Sequence, residues 1–167
     1  MKNFTSKILA AFFLFTCSSE TFCQGLYKVF SDEKIEQSSL IIEGKVISQK
    51  SFWNSQHTMI FTSNEVEVYK VFKGTTSTDR VEILTQGGTV GTRYIEASDL
   101  LKLSGNETGT FFCSSNTINL RSPETNNLLL DVYSSAQGFL NYDLGNNSAD
   151  APFVHYSDIK KIGRAHV

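Results

Sequence analysis

Met59 to Phe72 reads MIFTSNEVEVYKVF. Within it Val66 and Val68 alternate with Glu65, Glu67 and Tyr69, the period-two pattern of a strand with one buried face. A strand this long suits a small curled barrel, because it can bend across two faces. On its N-terminal side, Leu40 to Ser48 (LIIEGKVIS) is rich in β-branched residues and reads as a second strand. On its C-terminal side, Lys73-Gly74-Thr75 and the polar run to Asp79 form a turn into the strand Arg80 to Thr85. Gln86-Gly87-Gly88-Thr89 reads as a hairpin-like turn, with Val90 to Ala97 as the returning strand.

Farther out the signals shorten. Ser98 to Leu103 reads as a single helical turn, and Gly105 to Gly109 as a loop feeding the strand Thr110 to Ser115. Asn116 to Asn127 is polar and irregular. Leu128 to Tyr133 and Phe139 to Tyr142 are two more short strands. Residues 24–38 read as a short helical lead-in with Ser31 as its N-cap. Residues 39–143 form the β domain, and the Asn/Ser-rich stretch 144–161 reads as a linker. Short strands at close spacing with glycine-rich turns predict a mainly β fold with one or two short helices. An antiparallel OB-like barrel is the first expectation and a β-sandwich the alternative.

The two ends of the 167-residue chain read differently from its middle. Met1 to Lys7 carries two lysines and no acid, and Ile8 to Phe15 (ILAAFFLF) is apolar throughout. This is the n-region and h-region of a signal peptide, residues 1–23, and is too short to span a membrane, which takes about 20 apolar residues. A buried helix is the competing reading, opposed by the lysine flank. Cleavage after Cys23 would satisfy the demand for small residues near the scissile bond and leave Gln24 as the new N-terminus. Lipidation of Cys17 is the other processing route and would anchor the product in a membrane. At the far end, Ile162-Gly163-Arg164-Ala165-His166-Val167 back-translates as ATC GGA AGA GCA CAC GTC, a common sequencing-adapter run. Residues 162–167 are therefore set aside as adapter-derived, with the natural chain expected to continue.

Without those ends the chain has 12 basic and 16 acidic residues, a net charge of −4. Clustered Lys and Arg are what nucleic-acid phosphates require, and no such stripe is present, so nucleic acid is not an expected partner. Cys113 is then the only cysteine, so an intrachain disulfide is excluded and the fold rests on its core. In the apolar run Thr110-Phe111-Phe112-Cys113 it reads as a small buried hydrophobe.

Chemical motifs are missing. The sequence has no HExxH, no CxxC and no G-x-S-x-G, and His57 and His155 both sit in polar stretches. Gly87-Gly88-Thr89-Val90-Gly91 leads into a strand, whereas a phosphate cradle needs a helix N-terminus. No catalytic, metal or cofactor residue is assigned. The one exposed constellation is aromatic: Trp53 beside a polar turn, with Tyr69 and Tyr94 on flanking strands, all candidates for ligand contact. For Trp53 the competing reading is that it closes one end of the core.

Several segments resemble a β-rich domain at the N-terminus of secreted Bacteroidetes proteins: Ser39 to Val46, Ser51-Phe52-Trp53 with His57, Val66 to Gly74, and Gly87 to Gly91. Ala136-Gln137-Gly138-Phe139 and Tyr142-Asp143 are similar to the same group, so the likeness spans about Gln24 to Lys160. Many such proteins carry a C-terminal type IX secretion sorting domain and some a downstream metalloprotease. The resemblance implies a non-catalytic N-terminal module of a larger secreted or cell-surface protein. The alternatives are an accessory domain of a secreted zinc metallopeptidase, or a carbohydrate-binding module. The partners implied are downstream domains of the same protein or an extracellular glycan or protein, with membrane contact only through lipidated Cys17. Leu40 to Val46 is also similar to the first strand of the OB-fold tissue inhibitors of metalloproteinases. The N-terminal zinc-chelating cysteine and the disulfides of that family are absent once Cys23 is removed.

Overall fold

The computed structural model describes residues 27–162. The expected signal peptide, both expected processing routes at Cys17 and Cys23, and the tail from Gly163 onward lie outside the described residues. The long strand quoted above is β2 (Ile60–Lys73), paired antiparallel with β1 (Leu40–Trp53), each of 14 residues. At about 3.3 Å per residue such strands are longer than a small domain needs if they stay flat. Three register shifts, at Ile41/Ile42, Glu43/Gly44 and Val46/Ser48, let them curl. Gly44 sits at the second shift, where a Cβ would fall 2.5 Å from the Glu67 carbonyl oxygen, so the two backbones approach there only without a side chain.

β3 (Arg80–Val90) pairs with β2, and β4 (Arg93–Glu96) folds back on β3. β5 (Thr108–Ser115) pairs with the other edge of β1, and β6 (Leu130–Val132) lies between β5 and β3. The single parallel pair Ile83↔Leu130 joins β3 to β6. The order β1-β2-β3-β6-β5 thus returns to β1 as a ring with one narrow seam within a nine-stranded sheet.

Strand alternation gives the sheet two cores. Leu40, Ile42, Val46, Val66, Ile83, Phe111 and Cys113 fill the inside of the ring. Ile41, Phe112, Leu140 and Tyr142 face the other way and form a second cluster. That outer face is covered by helix α1 (Ser31–Gln37) through Ile35, and by β8 (Ser148–Ala151) and β9 (Val154–Tyr156), which continue the sheet from β7 (Phe139–Asp143). The stretch 144–161 is therefore part of the fold and not a linker. Its Asn/Ser composition belongs to the turn, where the Asp143 carboxylate accepts from the Gly145 and Asn146 amides. Fully buried Ala149 packs beneath it, and Ile162, set aside with the tail, is also buried in this cluster.

Three local expectations are corrected. Gln86 to Thr89 is no turn: β3 runs through it, and the reversal comes at Gly91, with φ of +60°. Ser98 to Leu103 forms no helix among the described residues. Asp99 takes a left-handed φ of +61°, and the chain opens into a loop that drops Leu101 and Leu103 into the inner core. Ser31 is the first residue of α1 and not its cap; Phe30 holds the cap position with no side-chain bond. The lead-in is fixed instead by Gln137, whose amide oxygen accepts from Val29 N (2.9 Å) and whose amide donates to the Tyr27 carbonyl (2.7 Å). The buried Lys34 amine donates to the Gln137 carbonyl at 3.0 Å, and desolvation, aided by Lys28, lowers its pKa.

Candidate functional site at the polar end of the ring

The inward face of β1, β2 and β3 changes character along its length. At one end Leu40, Ile42, Val46, Val66, Val68, Val81 and Ile83 are aliphatic. The register shift after Val46 moves the inward phase of β1 by one residue, so Gln49 and Ser51 next meet Asn64 and Thr62 of β2. Thr85 of β3 stands opposite Thr62. The interior that begins as hydrocarbon thus ends in amides and hydroxyls.

Asn64 organises this end. It is fully buried, and its oxygen accepts from Gln49 Nε2 at 2.7 Å. Its amide protons are shared among the Thr85 hydroxyl (2.9 Å) and the carbonyls of Ile83 (2.9 Å) and Thr62 (3.2 Å). Gln49 spends its other proton on the Leu103 carbonyl at 2.7 Å, tying the 98–107 loop over the aliphatic core. Beside this network the Ser51 and Thr62 hydroxyls lie 2.9 Å apart, and Thr62 donates to the Gly87 carbonyl at 2.8 Å. Gly88 crosses directly above the pair. A Cβ there would lie 2.3 Å from Ser51 Oγ and 2.4 Å from Thr62 Oγ1, and its φ of +130° is one that side chains rarely adopt. The two glycines read as a turn are thus a close crossing of β3 over a hydroxyl pair.

Gln49, Ser51, Thr62, Thr85 and Gly88 line an open cleft of about 320 Å³, with Asn64 buried behind them. The β3–β4 hairpin forms its far wall through Tyr94, which is 64% exposed and stands across from Thr89. At the rim Glu96 and Lys102 form an ion pair. Lys102, and then the Tyr94 hydroxyl, hold the Glu96 carboxyl below the usual carboxylate range, and Glu96 raises the Lys102 amine.

Of the aromatic candidates, only Tyr94 lines this cleft. Trp53 lies at the end of β1, half-buried, outside both core clusters, and stacked on His57 with ring centroids 6.1 Å apart. Tyr69 lies seven residues along β2 from Thr62, on the opposite, outward face, and is 52% exposed. Gln49, Ser51, Thr62, Asn64 and Thr85 were not singled out from the sequence. The available signal was their period-two spacing in continuation of valines and isoleucines on the same strands.

Other reactive groups are placed elsewhere. Cys113 is fully buried in the inner core, where desolvation pushes its thiol up to about 12. His155 is exposed and bonded to Asp150 Oδ1 at 2.6 Å. Among the described residues no three His, Cys, Asp or Glu side chains converge as metal ligands. Burial would push Glu82 up, but hydroxyl bonds from Ser122, Ser63 and Thr125 outweigh it and hold the carboxyl low. The bond from Ser63 is 2.6 Å long. That cluster fastens the 121–128 loop to the ring. No family model, curated protein or solved structure matches the chain.

Proposed function

We propose that this chain is a non-catalytic binding module of an exported protein, the leading part of a larger secreted or cell-surface polypeptide, working through the polar end of its ring. The observation that carries the binding reading is the Gln49–Asn64–Thr85 network. A fully buried amide holds its neighbours in fixed positions at the mouth of a cleft whose volume suits a small ligand. Such preorganisation lowers the cost of binding and needs no reactive group. Export is supported by the n- and h-regions of residues 1–15. The leading position is supported by the resemblance of the strand and turn segments to N-terminal domains of secreted proteins.

The binding reading is tested by chemical-shift mapping with a fragment library. Hits that move the Ser51, Thr85 and Tyr94 resonances are expected; a library that moves only residues elsewhere overturns it. Export and leading position are tested by mass spectrometry of the native protein from fractionated cells. A product in the medium or envelope that starts at Gln24 and exceeds the mass of this chain is expected. An intact Met1 in the cytosol would contradict it.

A further inference from the structure

We infer that the cleft is a subsite for a neutral saccharide ring, with Tyr94 as the platform and Gln49 and Thr85 as the polar readers. This deepens the binding reading above and rests on it.

The argument is one of hydrogen-bond valence and charge. A glutamine amide has two donor protons, and Gln49 spends both, on Asn64 and on the Leu103 carbonyl, so its Oε1 remains to accept. Thr85 Oγ1 accepts from Asn64, so its own proton remains to donate. One fixed acceptor and one fixed donor therefore flank the same buried amide and both line the cleft. A hydroxyl group donates and accepts at once, and a carbohydrate presents several on one ring.

Charge narrows the class. Glu96 and Lys102 are the charged side chains of the lining, and each neutralises the other. An anionic ligand would meet no uncommitted cation in the lining. A nucleotide is opposed on the same ground, since phosphates are held by clustered Lys and Arg. A purely apolar ligand would strip water from Ser51, Gln49 and Thr85 without replacing it. The exposed ring of Tyr94 completes the match, because a pyranose has an apolar face of C–H groups that can lie against an aromatic ring while its edge hydroxyls reach the polar wall.

The experiment is calorimetry and glycan-array binding with the chain, using neutral oligosaccharides (cellopentaose, xylopentaose, mannopentaose, chitopentaose), acidic ones (oligogalacturonate) and unstructured peptides. Neutral sugars should bind. Tyr94→Ala should weaken them by about fivefold or more, the lower limit for loss of a stacking platform, and Thr85→Val should also weaken them. Tyr69→Ala, on the outward face, should change nothing. Tyr94 is exposed, so its removal leaves the core intact, and an unchanged melting temperature checks this. If only peptides or acidic glycans bind, and Tyr94→Ala weakens them, the saccharide class is wrong while the binding site stands. Sugar binding that is indifferent to both Tyr94→Ala and Thr85→Val removes the site, and no binding by any neutral sugar removes the class.

Discussion

Replacing Asn64 with alanine should be one of the most damaging single polar-to-alanine changes in the ring. The side chain is fully buried and takes part in four contacts between 2.7 and 3.2 Å, in which two protons are shared among three acceptors and one bond is received. Valence limits these to about three full hydrogen bonds, and at about 1 kcal/mol net each the loss is about 3 kcal/mol. The truncation also leaves Gln49 one proton short of a partner. Water entering from the adjoining cleft can satisfy part of that deficit, so the expected cost is about 2–3 kcal/mol. For a domain of this size that lowers Tm by roughly 6–12 °C. Urea unfolding followed by tryptophan fluorescence reads the change, and Trp53 is the only tryptophan. A cost below about 1 kcal/mol at unchanged m-value would refute the reasoning, since an amide in this network cannot be lost so cheaply.

Gly88→Ala should destabilise by more than about 2 kcal/mol, because its Cβ has no room above Ser51 and Thr62 and its φ is unfavourable. Gly91→Ala, at φ of +60° with nothing within 4 Å, should cost only about 1–2 kcal/mol, and equal effects in urea melts would count against the crossing. The Glu82 carboxyl is depressed in the folded state, so its contribution is present above its unfolded pKa and fades as pH falls through the lower folded value. Urea midpoints measured down an acid series should therefore drop in that window for the parent and less steeply for Glu82→Gln; parallel curves would argue against the hydroxyl clamp. Cys113 should resist a thiol reagent at neutral pH in the native protein and react once unfolded, whereas rapid native labelling would place it outside the core.

The frame of the fold was readable where burial and alternation agreed. Val66 and Val68 marked one strand by alternation, and the Leu40 to Ser48 and Arg80 to Thr85 runs marked two more by their aliphatic and β-branched content. Reading failed where the inward face turned polar. The strand that begins at Leu40 is legible only as far as Ser48, because the register shift changes phase there and the next groups facing β2 in that phase, Gln49 and Ser51, are polar. The strand in fact runs on to Trp53, carrying the polar wall with it. Gly87 and Gly88 carried a true signal, close backbone approach, that a turn explains equally well until the partner strand is seen. The Asn/Ser-rich stretch after Asp143 hid β8 and β9: β8 (SADA) has little β-propensity of its own, β9 (VHY) is only three residues long, and both are held by strand pairing and the outer core. Tyr94 could be named as exposed and aromatic, but its sharing a cleft with Gln49 and Thr85 depends on the registers of three successive strand pairings, β1–β2, β2–β3 and β3–β4.

The side-chain amide protons of Asn64 and Gln49 offer the most direct test of a preformed polar mouth. Their exchange with deuterated solvent can be followed by NMR in the unliganded chain. The account predicts that the Asn64 amide exchanges many times slower than a free carboxamide, approaching the slow backbone amides of β2, because its donors are engaged and buried before any ligand arrives. Exchange at the rate of a free side chain would contradict it, for the end of the ring would then be open to water and its hydrogen-bonding groups unfixed.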